Sequence, residues 1–226
     1  MRKLTSVIMT SYNQSLWLSQ MTMAAVANVT RYTDPEEYEF ILMSDSEKFK
    51  VRDDFKCLKI DKYIRTQGEG YTKSMNHGAS EASGDYLVFM QNDVFVHEGW
   101  LPSLKHYLEH GLAECIFPDQ MPRPRRFVKE SYDMGYQEAM KFGSRDAGLF
   151  MITREAFSRC GGWDEDLSLL AERDFYERLG KAHVNYKDTC KVMITHIMAA
   201  TNFSRLHENP KEYEEMMKKD ADKLNG

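Results

Sequence analysis

Tyr86-Leu87-Val88-Phe89-Met90 is apolar or aromatic at every position, and Gln91-Asn92-Asp93 follow at once. A strand with one wet face alternates polar and apolar residues. A strand with no polar position has both faces covered, so this stretch requires a sheet sandwiched between other elements. In open α/β sheets ligands bind beyond the carboxyl ends of the strands. Asp93 stands at such an end and is the expected holder of a divalent cation against a diphosphate. Taken alone, Asn-Asp is also ordinary turn chemistry.

The chain on either side reads as alternating strands and helices. Leu4 to Thr10 is a strand, Ser11-Tyr12-Asn13-Gln14 a polar turn, and Ser15 caps a helix that runs to about Arg31. Asp34-Pro35 breaks it. Tyr38 to Met43 is a second strand, closed by Ser44-Asp45-Ser46, and Cys57 to Ile60 a short third. Beyond the Gln67-Gly68-Glu69-Gly70 loop, Tyr71 to Ser83 reads as a helix. It carries Asn76 and Gly78, poor helix formers that mark the close approach of another backbone or a ligand. Trp100 to His110 is a helix ended by Gly111, and Leu112 to Phe117 a strand. Pro118 to Gly135 mixes Pro118, Pro122 and Pro124 with Arg123, Arg125, Arg126 and Lys129. It is expected outside regular structure, either as a lid over a site or as a solvated basic loop. Gly148 to Thr153 is a strand, Arg154 to Arg159 a short helix, and Gly161-Gly162-Trp163-Asp164-Glu165 a tight turn. Glu172 to Lys181 is a helix, His183 to His196 holds at least one strand, and Glu208 to Leu224 is a charged C-terminal helix. The alternation is that of βαβ units on a parallel sheet.

Composition narrows the classes. A chain of 226 residues, 42% hydrophobic and 29% charged, suits one globular domain. Its net charge of -5 gives no global reason to bind nucleic acid. The N-terminal apolar run is too short for a signal peptide, and no stretch reaches the length of a membrane span, so a cytoplasmic protein, at most peripheral to a membrane, is expected. Cys57, Cys115, Cys160 and Cys190 are too scattered for a zinc site and read as reduced thiols. His106 and His110 lie four apart on a helix without a third ligand, which favours an exposed helix face.

The order and spacing of several pieces resemble a family 2 glycosyltransferase of the GT-A fold. Thr10-Ser11-Tyr12-Asn13 is similar to the family's opening strand and Tyr-Asn turn. Gly70-Tyr71-Thr72-Lys73-Ser74-Met75-Asn76-His77-Gly78 matches the spacing of its Gly-x-Ser-x-Ala-Arg-Asn-x-Gly stretch, with Met75 where Arg is usual. Ala82-Ser83-Gly84-Asp85-Tyr86 and Gln91-Asn92-Asp93 match the approach to its Asp-x-Asp motif, with an amide at the first acid. Gly161-Gly162-Trp163-Asp164-Glu165 matches its Gly-Gly-Phe-Asp-Glu turn. The fold implied is an α/β, Rossmann-like, mostly parallel sheet flanked by helices, with a C-terminal helix. Residues 1–97 would form the nucleotide-binding half and residues 98–226 the acceptor-binding half of a single domain.

The activity implied is inverting, metal-assisted transfer of one sugar from a nucleotide-diphosphate donor, by expectation a UDP-sugar, to an acceptor hydroxyl. Asp93 and His196 would hold Mn2+ or Mg2+, since leaving-group charge is the costly part and a cation is its direct remedy. Counting back from Arg178 in the family's Glu-Asp-x-Asp-Leu-x-x-Arg pattern puts Glu172 at the general base and Asp174 at a second acid. Gln91 or Asn92 would hydrogen-bond the ribose. Thr10, Tyr12, Asn13 and Asp45, with Ser44 or Ser46, would surround the nucleotide base. Lys73 and the Arg123 to Lys129 loop would lie toward the phosphates, Asn76 would be among the donor-binding residues, and Trp163 and Asp164 would face the donor sugar and acceptor. The acceptor implied is a glycan or lipid-linked sugar, with hydroxymethylated DNA a minority case. Two rivals remain open. A sugar nucleotidyltransferase would need a glycine-rich basic loop after the first strand, which Tyr12-Asn13-Gln14 does not supply. A non-catalytic sugar-nucleotide or glycan-binding module would bind a donor without turning it over.

Overall fold

The computed structural model describes residues 4–12, 15–45, 58–121, 148–197, 206–207 and 209–225. The expectations for Asn13, Ser46, Cys57 and the Arg123 to Lys129 cluster fall outside these residues. In chain order the elements are β1 (Thr5–Ser11), α1 (Leu16–Tyr32), β2 (Tyr38–Ser44), β3 (Lys62–Arg65), α2 (Tyr71–Glu81), β4 (Tyr86–Gln91) and β5 (Val94–Phe95). They continue with α3 (Trp100–Glu109), β6 (Cys115–Met121), β7 (Leu149–Thr153), α4 (Arg154–Arg159), α5 (Ala171–Lys181), β8 (Tyr186–His196) and α6 (Pro210–Asn225).

The described strands form one sheet in the order β3-β2-β1-β4-β7-β6-β8-β5. β3, β2, β1 and β4 are mutually parallel. β7 is antiparallel to both β4 and β6, and β8 runs parallel to β6. Two reversals restore the direction. β6 and β8 therefore end at the same edge of the sheet as β1, β2 and β4.

β4 lies between two cores. Leu87 and Phe89 join the cluster formed with Met75 and Ala79 of α2, Ala156 and Phe157 of α4, and Phe175 and Leu179 of α5. Tyr86, Val88 and Met90 join the opposite cluster, with Met23 and Val26 of α1 and Trp100, Leu101 and Leu104 of α3. This two-sided burial is what the unbroken apolar run demands. α1 begins where expected, with Ser15 Oγ accepting from Leu18 N at 3.2 Å. α2 carries glycine because it lies hard against β1: a Cβ at Gly78 would stand 2.5 Å from Ile8 Cγ2. Its end is closed by Arg154, whose guanidinium donates to the carbonyls of Ala79, Ala82 and Gly84 at 3.2, 2.7 and 2.9 Å. A cation there complements the helix dipole.

At the opposite edge of the sheet from the strand ends, Glu39 Oε1 accepts from Ser6 Oγ and Ser83 N at 2.5 Å each and from Ser83 Oγ at 2.9 Å. Burial raises the Glu39 pKa, but these hydrogen bonds and the nearby Lys62 outweigh it and hold the carboxyl below its ordinary value.

Two expectations are corrected, and one element is added. The third strand lies at Lys62–Arg65 rather than at Cys57 to Ile60, because it pairs with the second half of β2, from Ile41 to Ser44. Pro118 is not the start of an irregular loop. β6 continues through it to Met121, and the ladder to β8 shifts register between Pro118 and Asp119. A bulge is where a strand tolerates the missing N–H of proline. β5, two residues long, is an addition that sequence patterning did not show.

Candidate active site

β5 makes the site. Val94 pairs with His196 and Phe95 with Thr195, antiparallel, and Ile197 N donates to Asp93 O at 3.0 Å. The chain turns back immediately after β4, so Asp93 is delivered to the end of β8. His196 Nε2 lies 3.3 Å from Asp93 Oδ1, with the two side chains 1% and 4% exposed. On the other side of the ring, Nδ1 lies 3.3 Å from Gln120 Oε1. If Nδ1–H is donated to Gln120, Nε2 keeps its lone pair and faces the carboxylate, an opposition that suits a cation between them. Two adjacent ligands about 2.1 Å from an octahedral ion stand roughly 3 Å apart, so the spacing fits as well. Imidazole and carboxylate are donors that Mn2+ accepts. No third His, Cys, Asp or Glu joins them among the described residues. The remaining ligands of an ion here would come from the diphosphate or water.

Beside this pair, Gln91 Nε2 donates to Glu172 Oε1 at 2.6 Å. Gln91 closes β4, opposite Thr10 of β1, and its N–H is held by Gly148 O at 2.8 Å. Glu172 is thereby brought from the first turn of α5 to the strand ends. Asp174, two residues on, is engaged elsewhere: Arg178 Nε donates to its Oδ2 at 2.7 Å, and Arg178 Nη1 to Cys160 O at 3.2 Å. The structure separates the two acids that residue spacing left together. One faces the strand ends and the other ties α5 to itself and to the turn after α4.

The other expected residues divide. Asp45, at the end of β2, accepts from Gly68 N at 2.6 Å and so faces the loop between β3 and α2. Tyr12 lies against Leu18 and Met21 of α1. Lys73 is exposed on α2. Asn92 does not turn toward a ribose. It is 5% exposed and donates to Thr22 Oγ1 at 3.0 Å, in a buried cluster with Ser11 Oγ. Asn76 is likewise a clamp. It accepts from Trp163 N at 2.9 Å and donates to Trp163 O at 2.9 Å, so the other backbone that its place in α2 announced is the glycine turn. Gly161 and Gly162 take φ of +80° and +69° there. Trp163 is 2% exposed and stacks on Phe175 with centroids 4.4 Å apart, so its ring belongs to the core and does not face a sugar. Asp164 accepts from Lys223 Nζ at 2.8 Å. Burial raises its pKa, but the hydrogen bonds from Lys223 and from Asp166 N–H leave its carboxyl below the usual range. His106 and His110 are exposed, with ring centroids 4.1 Å apart, as a helix face would place them.

Sequence reasoning missed Gln120, Gly148 and Thr22. Gln120 was hidden behind Pro118. Gly148 is small because His196 fills its space: a Cβ there would stand 2.6 Å from Nδ1. Nothing in the sequence marks Thr22, whose role exists only once α1 lies beside β4.

The glycosyl transferase family 2 model matches residues 6–163. The chain belongs to this family. Crystal structures of similar fold include GalNAc-T7 with UDP, GalNAc and Mn2+, at a TM-score of 0.67 and 18% identity, covering 86% of this chain and 44% of that one. *S. aureus* TarS 1-349 superposes with a TM-score of 0.65 at 12% identity, covering 89% and 62%. The family 2 domain thus has the GT-A fold. Among curated proteins it is 25% identical over 203 residues to the inactive polypeptide N-acetylgalactosaminyltransferase-like protein 5 of *Mus musculus*, covering 73% of the chain and 45% of that protein. The *Macaca fascicularis* protein of the same name is 24% identical over 199 residues. The chain spans about half the length of these curated relatives (45% and 44%). Among the described residues no helix is long and apolar enough to cross a membrane.

Proposed function

We propose that this family 2 domain is an inverting glycosyltransferase that moves one sugar from a nucleotide-diphosphate donor to an acceptor hydroxyl. The observation that carries the reading is the meeting of two pairs at one sheet edge, Gln91–Glu172 at 2.6 Å and Asp93–His196 at 3.3 Å. Glu172 takes the proton of the acceptor hydroxyl. The acceptor oxygen then bonds to the anomeric carbon as the bond to the diphosphate breaks, and the nucleoside diphosphate departs. Gln91 orients the Glu172 carboxylate without adding charge. Asp93 and His196 would hold Mn2+ or Mg2+, which when bound supplies positive charge against the leaving diphosphate. GalNAc-T7 was crystallised with UDP and Mn2+, which supports a UDP-sugar and that metal here. The division into a nucleotide-binding half, 1–97, and an acceptor-binding half, 98–226, follows the same logic. The acceptor is a glycan or lipid-linked sugar.

A second reading has its own support. The curated relatives carry the word inactive in their names, and an amide stands at Gln91 where the family commonly has an acid. On that reading the domain binds a sugar nucleotide and does not turn it over. Glu172→Gln decides between them: the transferase loses turnover and keeps donor binding, whereas a binding module shows no turnover in the parent protein either.

A further inference from the structure

α6 lays half-buried Tyr213, Met217 and Leu224 toward the body, yet its one fully buried side chain is charged. Asp220 is its buried residue and is 0% exposed. Its Oδ2 accepts the N–H groups of Ser168, Leu169 and Leu170 at 2.9, 2.6 and 2.9 Å. Three consecutive donors converging on one oxygen form an anion nest that the chain fills from within. Charge-assisted bonds of this kind offset the cost of taking a carboxylate out of water. One turn along the same face, Lys223 Nζ donates to Asp164 Oδ1 at 2.8 Å and Asp166 Oδ2 at 3.0 Å. α6 therefore grips both ends of the segment that leads from the glycine turn into α5. α5 lacks a cap of its own, since Leu170 at its N-cap position makes no side-chain hydrogen bond to the helix. Glu172 follows two residues later.

We infer that Asp220 is a positioning residue for Glu172. By pinning residues 168–170 it fixes where α5 starts, and with it the reach of the Glu172 carboxylate to Gln91. The inference rests on the reading of Glu172 as the base. A displacement of about 1 Å in a reacting group can lower rate by about 100-fold without touching substrate affinity. The test compares the parent chain, Asp220→Asn, Glu172→Gln and the double variant, using hydrolysis of UDP-sugars with Mn2+ and amide hydrogen exchange over residues 164–174. Asp220→Asn is expected to lower kcat by about 10- to 100-fold with KM unchanged, to speed exchange at 168–173, and to add nothing in the Glu172→Gln background. Asp220→Glu keeps the charge and moves it by one methylene. It stands in should the amide variant not fold, with the same split between kcat and KM expected. Unchanged kcat in folded protein, or losses that add to those of Glu172→Gln, would overturn the inference. If the parent chain hydrolyses no UDP-sugar, the transferase reading fails, and exchange alone judges the clamp: protection at 168–173 unaltered by Asp220→Asn overturns it.

Discussion

Residues next to one another in sequence end in different roles here, and their partners decide which. Glu172 and Asp174 both sit in the first turn of α5, where the helix dipole favours an acid. The Arg178 guanidinium makes Asp174 a brace within α5, while Glu172 accepts from the neutral amide of Gln91 at the strand ends. Glu172→Gln should therefore lower kcat by about 100- to 10,000-fold with donor affinity retained, as titration with a UDP-sugar would show. Asp174→Asn should lower the melting temperature and cost less rate. Gly148→Ala tests the proposed metal site from behind. Its Cβ would enter the space of the His196 ring, and Mn2+ affinity measured by calorimetry should fall about 10- to 100-fold, as it does when the support of a ligand is disturbed. The Asp93 and His196 positions were legible as polar residues ending apolar runs. Trp163 and Asn92 were not, because an aromatic or an amide in a motif reads the same whether it faces a ligand or the core.

At the scale of elements, the long apolar strands and the amphipathic helices were legible because burial on two faces or one leaves a mark on every residue. β5 left none. A two-residue strand carries no period, and Val94-Phe95 becomes a strand only because the end of β8 lies alongside. The bulge in β6 was misread for the same reason, since a proline announces a break and does not reveal that a neighbouring strand absorbs it. Glu39 joins β1, β2 and the approach to β4 and gives the sheet a pH dependence. Its folded pKa lies below the ordinary carboxyl value, so its contribution is complete above that ordinary value and is lost as pH falls through the folded pKa. Urea midpoints of the parent chain should drop more steeply than those of Glu39→Gln as pH is lowered from about 7 to about 3. Parallel curves would remove Glu39 from the account.

For the whole molecule, what the sequence made legible was the order of the motifs along the chain, and the sheet explains why that order works. Parallel strands and paired reversals bring segments from residues 10, 45, 91 and 196 to one edge, and α5 closes over it. The contribution of α6 was not legible, because a charged helix usually signals solvent and here its buried acid holds the segment before α5. The central claim is that this edge turns over a nucleotide sugar with Glu172 as base. Release of nucleoside diphosphate from a panel of UDP-sugars, by the parent chain and by Glu172→Gln, in Mn2+ and in EDTA, tests it most directly. Release by the parent that requires the metal and disappears in Glu172→Gln, while that variant still binds the donor, is the predicted result. Release that survives Glu172→Gln, or donor binding by the parent without any release, would contradict it.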